Sequence, residues 1–230
     1  MRAVIGSILT LWMAAAAAWA GERPVVVELY TSQGCSSCPP ADAFLAELSK
    51  REDVIALALH VDYWDYIGWK DIFANPAFTA RQKAYARAAG SRTVYTPQMV
   101  IGGVDHVVGL RPMQVADLIA AHSAAPSPVT LEVERLGEGE FLLRARCEDR
   151  GAMRVQLVRY VPEQTVAIER GENGGRSLRY TNIVTDWRPL ADWDGSAPLE
   201  LAVQVPGDLP AVVLVQQKGP GRILAAARLR

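Results

Sequence analysis

Thr31-Ser32-Gln33-Gly34-Cys35-Ser36-Ser37-Cys38-Pro39-Pro40 is the stretch on which the reading of this chain turns. An apolar run, Val25 to Tyr30, precedes it, and a helical pattern, Ala41 to Lys50, follows it. Cys35-x-x-Cys38 therefore falls where a strand hands over to a helix. A thiolate at a helix N-terminus faces unpaired backbone N–H groups and the positive end of the macrodipole, and both favour the ionised sulfur. The second cysteine, one helical turn on, is close enough to resolve a mixed disulfide. Two plainer roles compete. As a staple, a loop of about four residues restrains the unfolded chain by roughly 2 kcal/mol, against about 4.7 for a loop of 100. As half of a zinc site, the pair lacks a second CxxC or a His-x-x-x-His partner. A redox pair is the preferred reading.

The bulk properties bound the rest. Half of the 230 residues are hydrophobic, the net charge is −1, and there are three cysteines. The near-zero charge points to neither nucleic acid nor an anionic membrane surface as partner, and three cysteines are too few for a disulfide scaffold. Arg2, the apolar Val4–Ala18 stretch and Ala18-Trp19-Ala20 before Gly21 have the form of a secretory signal peptide over residues 1–20. No later stretch approaches transmembrane length. A soluble periplasmic or secreted protein is expected, in a compartment where disulfides persist.

Taken in order, Val25 to Tyr30 suits a strand buried on both faces, apart from Glu28. A carboxylate beneath a dithiol can act as a proton relay, its pKa raised by burial; alternatively Glu28 points to an edge and is solvated. Ala41, Phe44, Leu45 and Leu48 recur at helical spacing, and Val54 to Val61 is a second apolar strand. Strand–helix–strand of this length implies a parallel right-handed crossover, so whatever follows Val61 lies near the cysteines. That segment, His60 to Asp71, holds Tyr63, Trp64, Tyr66 and Trp69. It reads either as an aromatic wall receiving a substrate, with Tyr63, Trp64, Trp69 and later Tyr95 in contact, or as a satellite core. His60 is a base, a metal ligand or, more plainly, a satisfied strand-end histidine.

Asn75-Pro76 opens the next helix and Gly90 closes it. Val94 to Ile101 reads as a strand entered by Thr96-Pro97, where a proline is unusual because it cannot donate to the ladder. In a redox fold a cis Pro97 here would free the backbone of Thr96 to pair with a peptide; an ordinary trans proline at a strand start is the alternative. Gly102-Gly103 turns a hairpin, Val104 to Val108 returns, and Pro112 opens a last helix. The order over 21–123 is β-α-β-α-β-β-α, which with a strand–CxxC–helix handover is thioredoxin-like. Residues 124–128 form a linker. Over 129–230 about eight short strands between Gly and Asn turns predict an all-β, sandwich-like second domain. Arg170, Glu172, Asn173 and Arg176 read as turn chemistry there, with contact to the first domain as the sharper alternative. Cys147, alternating within an apolar strand, reads as a buried free thiol.

The Glu28–Asp42 stretch, His60-Val61-Asp62-Tyr63-Trp64, Trp69-Lys70-Asp71, Arg81-Gln82, Tyr85-Ala86, Val94-Tyr95-Thr96-Pro97-Gln98, Gly171-Glu172-Asn173 and Tyr180-Thr181-Asn182-Ile183-Val184 together resemble a bacterial family of predicted secreted proteins with an N-terminal thioredoxin-like domain. The resemblance covers essentially all of the chain after residue 20. It implies Cys35 as attacking thiol, Cys38 as resolving thiol and Pro97 as the cis proline, and it supplies no activity. Ser36-Ser37 between the cysteines departs from the usual Gly-Pro, and the roughly sixty residues from Cys38 to Pro97 exceed the minimal fold. The function expected is exported thiol–disulfide exchange with a protein or small-thiol partner and no cofactor. The alternatives are a Cu(I)-binding or copper-delivery protein, since two thiolates suit a soft cation, and a non-catalytic binding module with a vestigial redox site.

Overall fold

The computed structural model describes residues 23–230, so the expected signal peptide lies outside the described residues. The fold is mixed α/β. Strands β1 (Val25–Thr31) and β2 (Val54–His60) pair in parallel, joined by helix α1 (Pro39–Leu48). Every residue of both strands is buried, as their unbroken apolar runs require. Tandem prolines start α1, where their missing N–H groups are no loss. Helix α2 (Pro76–Ala88) is capped by Asn75, whose side chain accepts from Ala77 N. Strands β3 (Gln98–Ile101) and β4 (Asp105–Val108) form the hairpin, and α3 (Pro112–Ala124) follows. Strand β3 starts four residues later than predicted, because Pro97 has no N–H to offer a ladder.

The second half is built from β5 (Val129–Gly137), β6 (Glu140–Cys147), β7 (Met153–Ala167), β8 (Ser177–Trp193), β9 (Leu199–Gln204), β10 (Ala211–Gln217) and β11 (Ile223–Leu229). These strands do not close on themselves as a separate sandwich. Only β5-β6-β9 form a sheet of their own; the others continue the first sheet in the order β11-β10-β7-β8-β2-β1-β3-β4. The junction is a parallel bridge between Ala58 of β2 and Ile183 of β8. Strand β7 runs unbroken to Ala167, and with β8 it makes one long antiparallel ribbon in place of several short strands. Bulges at Val155/Gln156 and Arg159/Tyr160 increase its twist.

The eight-stranded sheet curls until β11 returns to the β3–β4 turn, where Ile223 N donates to Gly102 O at 2.8 Å. Gly103, at φ 78°, allows that approach: a Cβ there would stand 2.5 Å from Gly221 O. Helices α1 and α3 cover one face of β1 through Val27, Leu29, Leu45 and Ile119. The other face, with Val26 and Tyr30, packs on Phe78 and Tyr85 of α2 and on Val184, Val212 and Leu214 of the second half. A third cluster fills the space between β5-β6-β9 and the curled end of the large sheet. Each fully buried Leu or Ile stabilises by roughly 1.5–3 kcal/mol, and the second cluster draws its members from both halves of the chain.

Candidate functional site

The loop after β1 brings Cys35 and Cys38 together as a disulfide, S–S 2.11 Å, with Cys38 at the N-cap of α1. Ser36 and Ser37 are exposed, whereas the cysteines are 1% and 0% exposed. Cys35, the attacking thiol that the resemblance implies, is covered. Trp64 and Ile67 lie so close over the loop that a side chain on Gly34 would meet both at 3.2 Å. Trp69 Nε1 donates to Gln33 Oε1 at 2.8 Å, and Gln33 N donates to Asp71 Oδ2 at 2.8 Å. The aromatic segment is thus fastened to the cysteine loop by its own polar atoms.

Thr96–Pro97 is a cis peptide bond. Trp64 Nε1 donates to Thr96 Oγ1 at 2.7 Å, which ties the aromatic cover to this segment. Gly109 N donates to Pro97 O at 3.0 Å, and a Cβ on Gly109 would stand 3.0 Å from the Ala41 Cβ and 3.1 Å from the Pro97 Cβ. Pro97 and Ala41, in the first turn of α1, are thus both close neighbours of Gly109. Tyr63 and Tyr95 lie further out, joined through Gln82, which accepts from Tyr63 OH at 3.2 Å and donates to Tyr95 O at 2.8 Å. Tyr66, 80% exposed, stacks on Trp64 with ring centroids 6.4 Å apart.

The second half completes the cover. The β7–β8 ribbon carries residues 168–176 to the cysteine loop. There the buried Asn173 Nδ2 donates to Gln33 O at 2.9 Å and to Cys35 O at 3.0 Å, while its Oδ1 accepts from Arg176. Glu172 Oε2 accepts from Ser36 N at 3.3 Å. Gly171, at φ 77°, lies against Trp69. Contact across the halves, the sharper of the two readings of this loop, is what the structure contains. Gly171 and Gly175, both at positive φ, were the signal, but they mark a turn and not its destination.

Beneath the disulfide lies a set of enclosed polar groups that the motif does not announce. His60 Nδ1 bonds Asp71 Oδ2 at 2.7 Å, both fully buried. Asp42, one turn past Cys38, is 5% exposed with no partner on either oxygen. Burial pushes its carboxyl up to about 7, and Asp71 adds to this, while His60 and Thr31 oppose it. Thr31 Oγ1 faces Asp42 without meeting hydrogen-bond geometry. Glu28 is elsewhere: it shares the face of β1 that packs on α2, opposite α1. Its carboxylate accepts from Arg81 Nε and Nη2 at 2.7 and 2.9 Å, Tyr30 OH at 3.0 Å and Tyr85 OH at 2.7 Å. It is neither solvated nor short of partners. Arg81 also stacks on Trp187, 3.8 Å from the ring centroid. Cys147 is free and half-buried at the end of β6, donating to Asp149 O at 2.6 Å.

Residues 26–216 match the family described as protein of unknown function, DUF1223. The chain belongs to the DUF1223 family. It is similar to an Agrobacterium tumefaciens protein known from an X-ray crystal structure, at 34% identity and TM-score 0.78, over 91% of this chain and 96% of that one. HBP35 of Porphyromonas gingivalis is similar in fold alone, at 13% identity and TM-score 0.59, over 90% of this chain and 75% of that one. No curated protein matches. In this DUF1223 member, no group of three or more His, Cys, Asp or Glu among the described residues is arranged to hold a metal ion. No described helix is long and apolar enough to cross a membrane. What this site can do chemically rests on a disulfide at a helix start, a covering layer drawn from both halves, and a buried carboxyl one turn along α1.

Proposed function

We propose that this protein is an exported thiol–disulfide oxidoreductase whose first half, β1 to α3, is thioredoxin-like and whose redox couple is Cys35–Cys38. The observation that carries the reading is the disulfide at the N-cap of α1, with Pro97 and Ala41 of that first turn both packed about Gly109. A four-residue ring adds little stability for its chemistry, and it stands where a helix start favours the thiolate of a reduced pair. Exchange runs by attack of the Cys35 thiolate on a partner disulfide, then displacement of the partner by Cys38. Trp64, Trp69 and Asn173 make the couple covered at rest, so partner access is governed by that layer, and Tyr66 is its exposed outer edge.

The test is trapping combined with a potential. Cys38→Ser, expressed in an exporting host, accumulates covalent adducts that disappear on reduction; Cys35→Ser gives few, and Cys147→Ser behaves as the parent. Equilibration of the parent with glutathione buffers gives a reversible two-electron transition assigned to Cys35–Cys38. A couple that is never reduced by thiols, and two single variants that trap nothing, refute the reading.

A further inference from the structure

Buried polar atoms in folded proteins nearly always find a partner. Near the disulfide several do not, among them both carboxyl oxygens of Asp42, Nε2 of His60, Oγ1 of Thr31 and the hydroxyl of Tyr180. They come from four elements, α1, β2, the end of β1, and β8. The His60 and Tyr180 rings meet edge to face with centroids 4.9 Å apart, and Phe73 closes the group against both. Asp42 feels His60, Thr31 and Asp71, and Tyr180 in turn feels Asp42, Asp71 and, from the loop before β8, Arg176. Cys38, the N-cap of α1, stands four residues before Asp42. Residues four apart on a helix lie one above the other, with Cβ atoms roughly 5–6 Å apart. Asp42 N donates to Cys38 O at 3.1 Å, which fixes that turn.

A carboxyl enclosed this way exists readily as either acid or carboxylate near neutral pH. Burial, the largest cause, lifts it to about 7. The partners on the far side have settled roles. Asp71 accepts from Gln33 N and Phe73 N as well as meeting His60 Nδ1. His60 Nδ1 is engaged by Asp71, and its Nε2 is left without a partner on the side of the group.

We propose that Asp42 is the proton acceptor and donor for Cys38 during disulfide exchange, with Tyr180 and His60 as positioning residues that enclose its carboxyl. The inference rests on the oxidoreductase reading. In the oxidising direction a partner disulfide is the co-reactant. The Cys35 thiolate attacks it, forming a Cys35–partner mixed disulfide and releasing one partner thiolate. The Cys38 thiol then gives its proton to the Asp42 carboxylate and attacks Cys35 Sγ, forming Cys35–Cys38 and releasing the second partner thiolate. In the reducing direction, the Cys38 thiolate leaving the disulfide takes the proton back from the Asp42 acid. Glu28, saturated by Arg81, Tyr30 and Tyr85 on the far face of β1, has no part in this path.

The experiment follows oxidised glutathione reacting with the reduced full chain from pH 5 to 9, resolving formation of the Cys35–glutathione mixed disulfide from its resolution by Cys38. In Asp42→Asn, formation keeps its rate, while resolution at neutral pH slows by roughly tenfold or more and loses its inflection near pH 7. Carbon-13 NMR of the parent's carboxyls assigns that inflection to Asp42. Tyr180→Phe keeps the ring in place; it slows resolution in the same sense, and serves where Asp42→Asn does not fold. Resolution with unchanged rate and pH profile in either folded variant overturns the proposal and leaves the oxidoreductase reading standing, as does an Asp42 that titrates near 4. A parent that forms no mixed disulfide at all overturns both.

Discussion

Glu28 and Asp42 are both enclosed carboxyls in the first half of the chain, and their surroundings give them opposite characters. Glu28 accepts four hydrogen bonds, two of them from a guanidinium that is 14% exposed. Removing one partner of such a pair strands the other charge. Glu28→Gln should therefore lower stability by about 3 kcal/mol, read as a shift of the urea midpoint at constant slope, with glutathione exchange rates unchanged. An unshifted midpoint would show that Arg81 is solvated enough to stand alone. Asp42 has no such partner. Its ordinary value is 3.8 and its folded value about 7, so between these the unfolded chain releases its proton while the folded protein keeps it. Stability from this group is thus full below about 4, falls as pH rises to about 7, and stays lowered above. Asp42→Asn, which resembles the uncharged acid, should be nearly neutral at pH 4 and stabilising at pH 8, by an amount on the order of a few kcal/mol. Denaturant titrations at the two pH values check it; an effect equal at both contradicts the enclosed carboxyl.

At the scale of elements, the β7–β8 ribbon is what turns a cysteine loop into a closed site. A strand rises about 3.3 Å per residue, so the 15 residues of β7 reach well past the sheet they start from. The ribbon tip delivers Asn173 to the carbonyls of Gln33 and Cys35, and Gly171 to Trp69. Asn173→Ala removes both donated bonds, takes the side-chain donor from the enclosed Gln33 carbonyl and leaves Cys35 O with Cys38 N alone, at about 1–3 kcal/mol. Local opening over the disulfide becomes easier by the same amount, so reduction by dithiothreitol should speed by at least about fivefold. Stopped-flow fluorescence of Trp64 and Trp69 follows it. A variant that loses global stability yet is reduced at the parent's rate would mean that this loop braces the fold and does not gate the sulfurs.

For the whole molecule, the curled sheet makes the two halves one load path. Beyond the Ala58–Ile183 bridge, Arg228 donates to the backbone carbonyls of Glu52 and Arg51 at 2.9 and 3.3 Å, and Ser127 Oγ donates to Leu224 O at 2.6 Å. Val26, Tyr30 and Leu57 share their cluster with Val158, Val212 and Leu214. A chain nicked by protease within 124–128 should therefore keep its fragments together, eluting at the parent's size under native conditions and separating only in denaturant. Two fragments that part and stay folded would instead establish the independent domains that the composition change at the linker suggests.

What the sequence determines by itself is local in origin. Unbroken apolar runs specify β1 and β2 as buried strands, Pro39-Pro40, Asn75-Pro76 and Pro112 specify three helix starts, and Gly102-Gly103 specifies a turn, because each depends on dihedral preferences and neighbours a few residues away. The Cys35–Cys38 pair is legible for the same reason: its partners are three residues apart and one turn of helix joins them. The strand count of the second half was less legible, since Pro162 and Pro189 break an alternation that the bulged ribbon carries through. Only the tertiary structure decided that β8 would dock beside β2, that Asn173 would reach over Cys35 from 138 residues away, and that Glu28 would meet Arg81 while Asp42 met no partner. Tyr30 apart, nothing within a helical turn of Glu28 or Asp42 encodes which carboxyl is matched. That follows from which surfaces exclude water together, a property of the packed molecule and not of any segment of it.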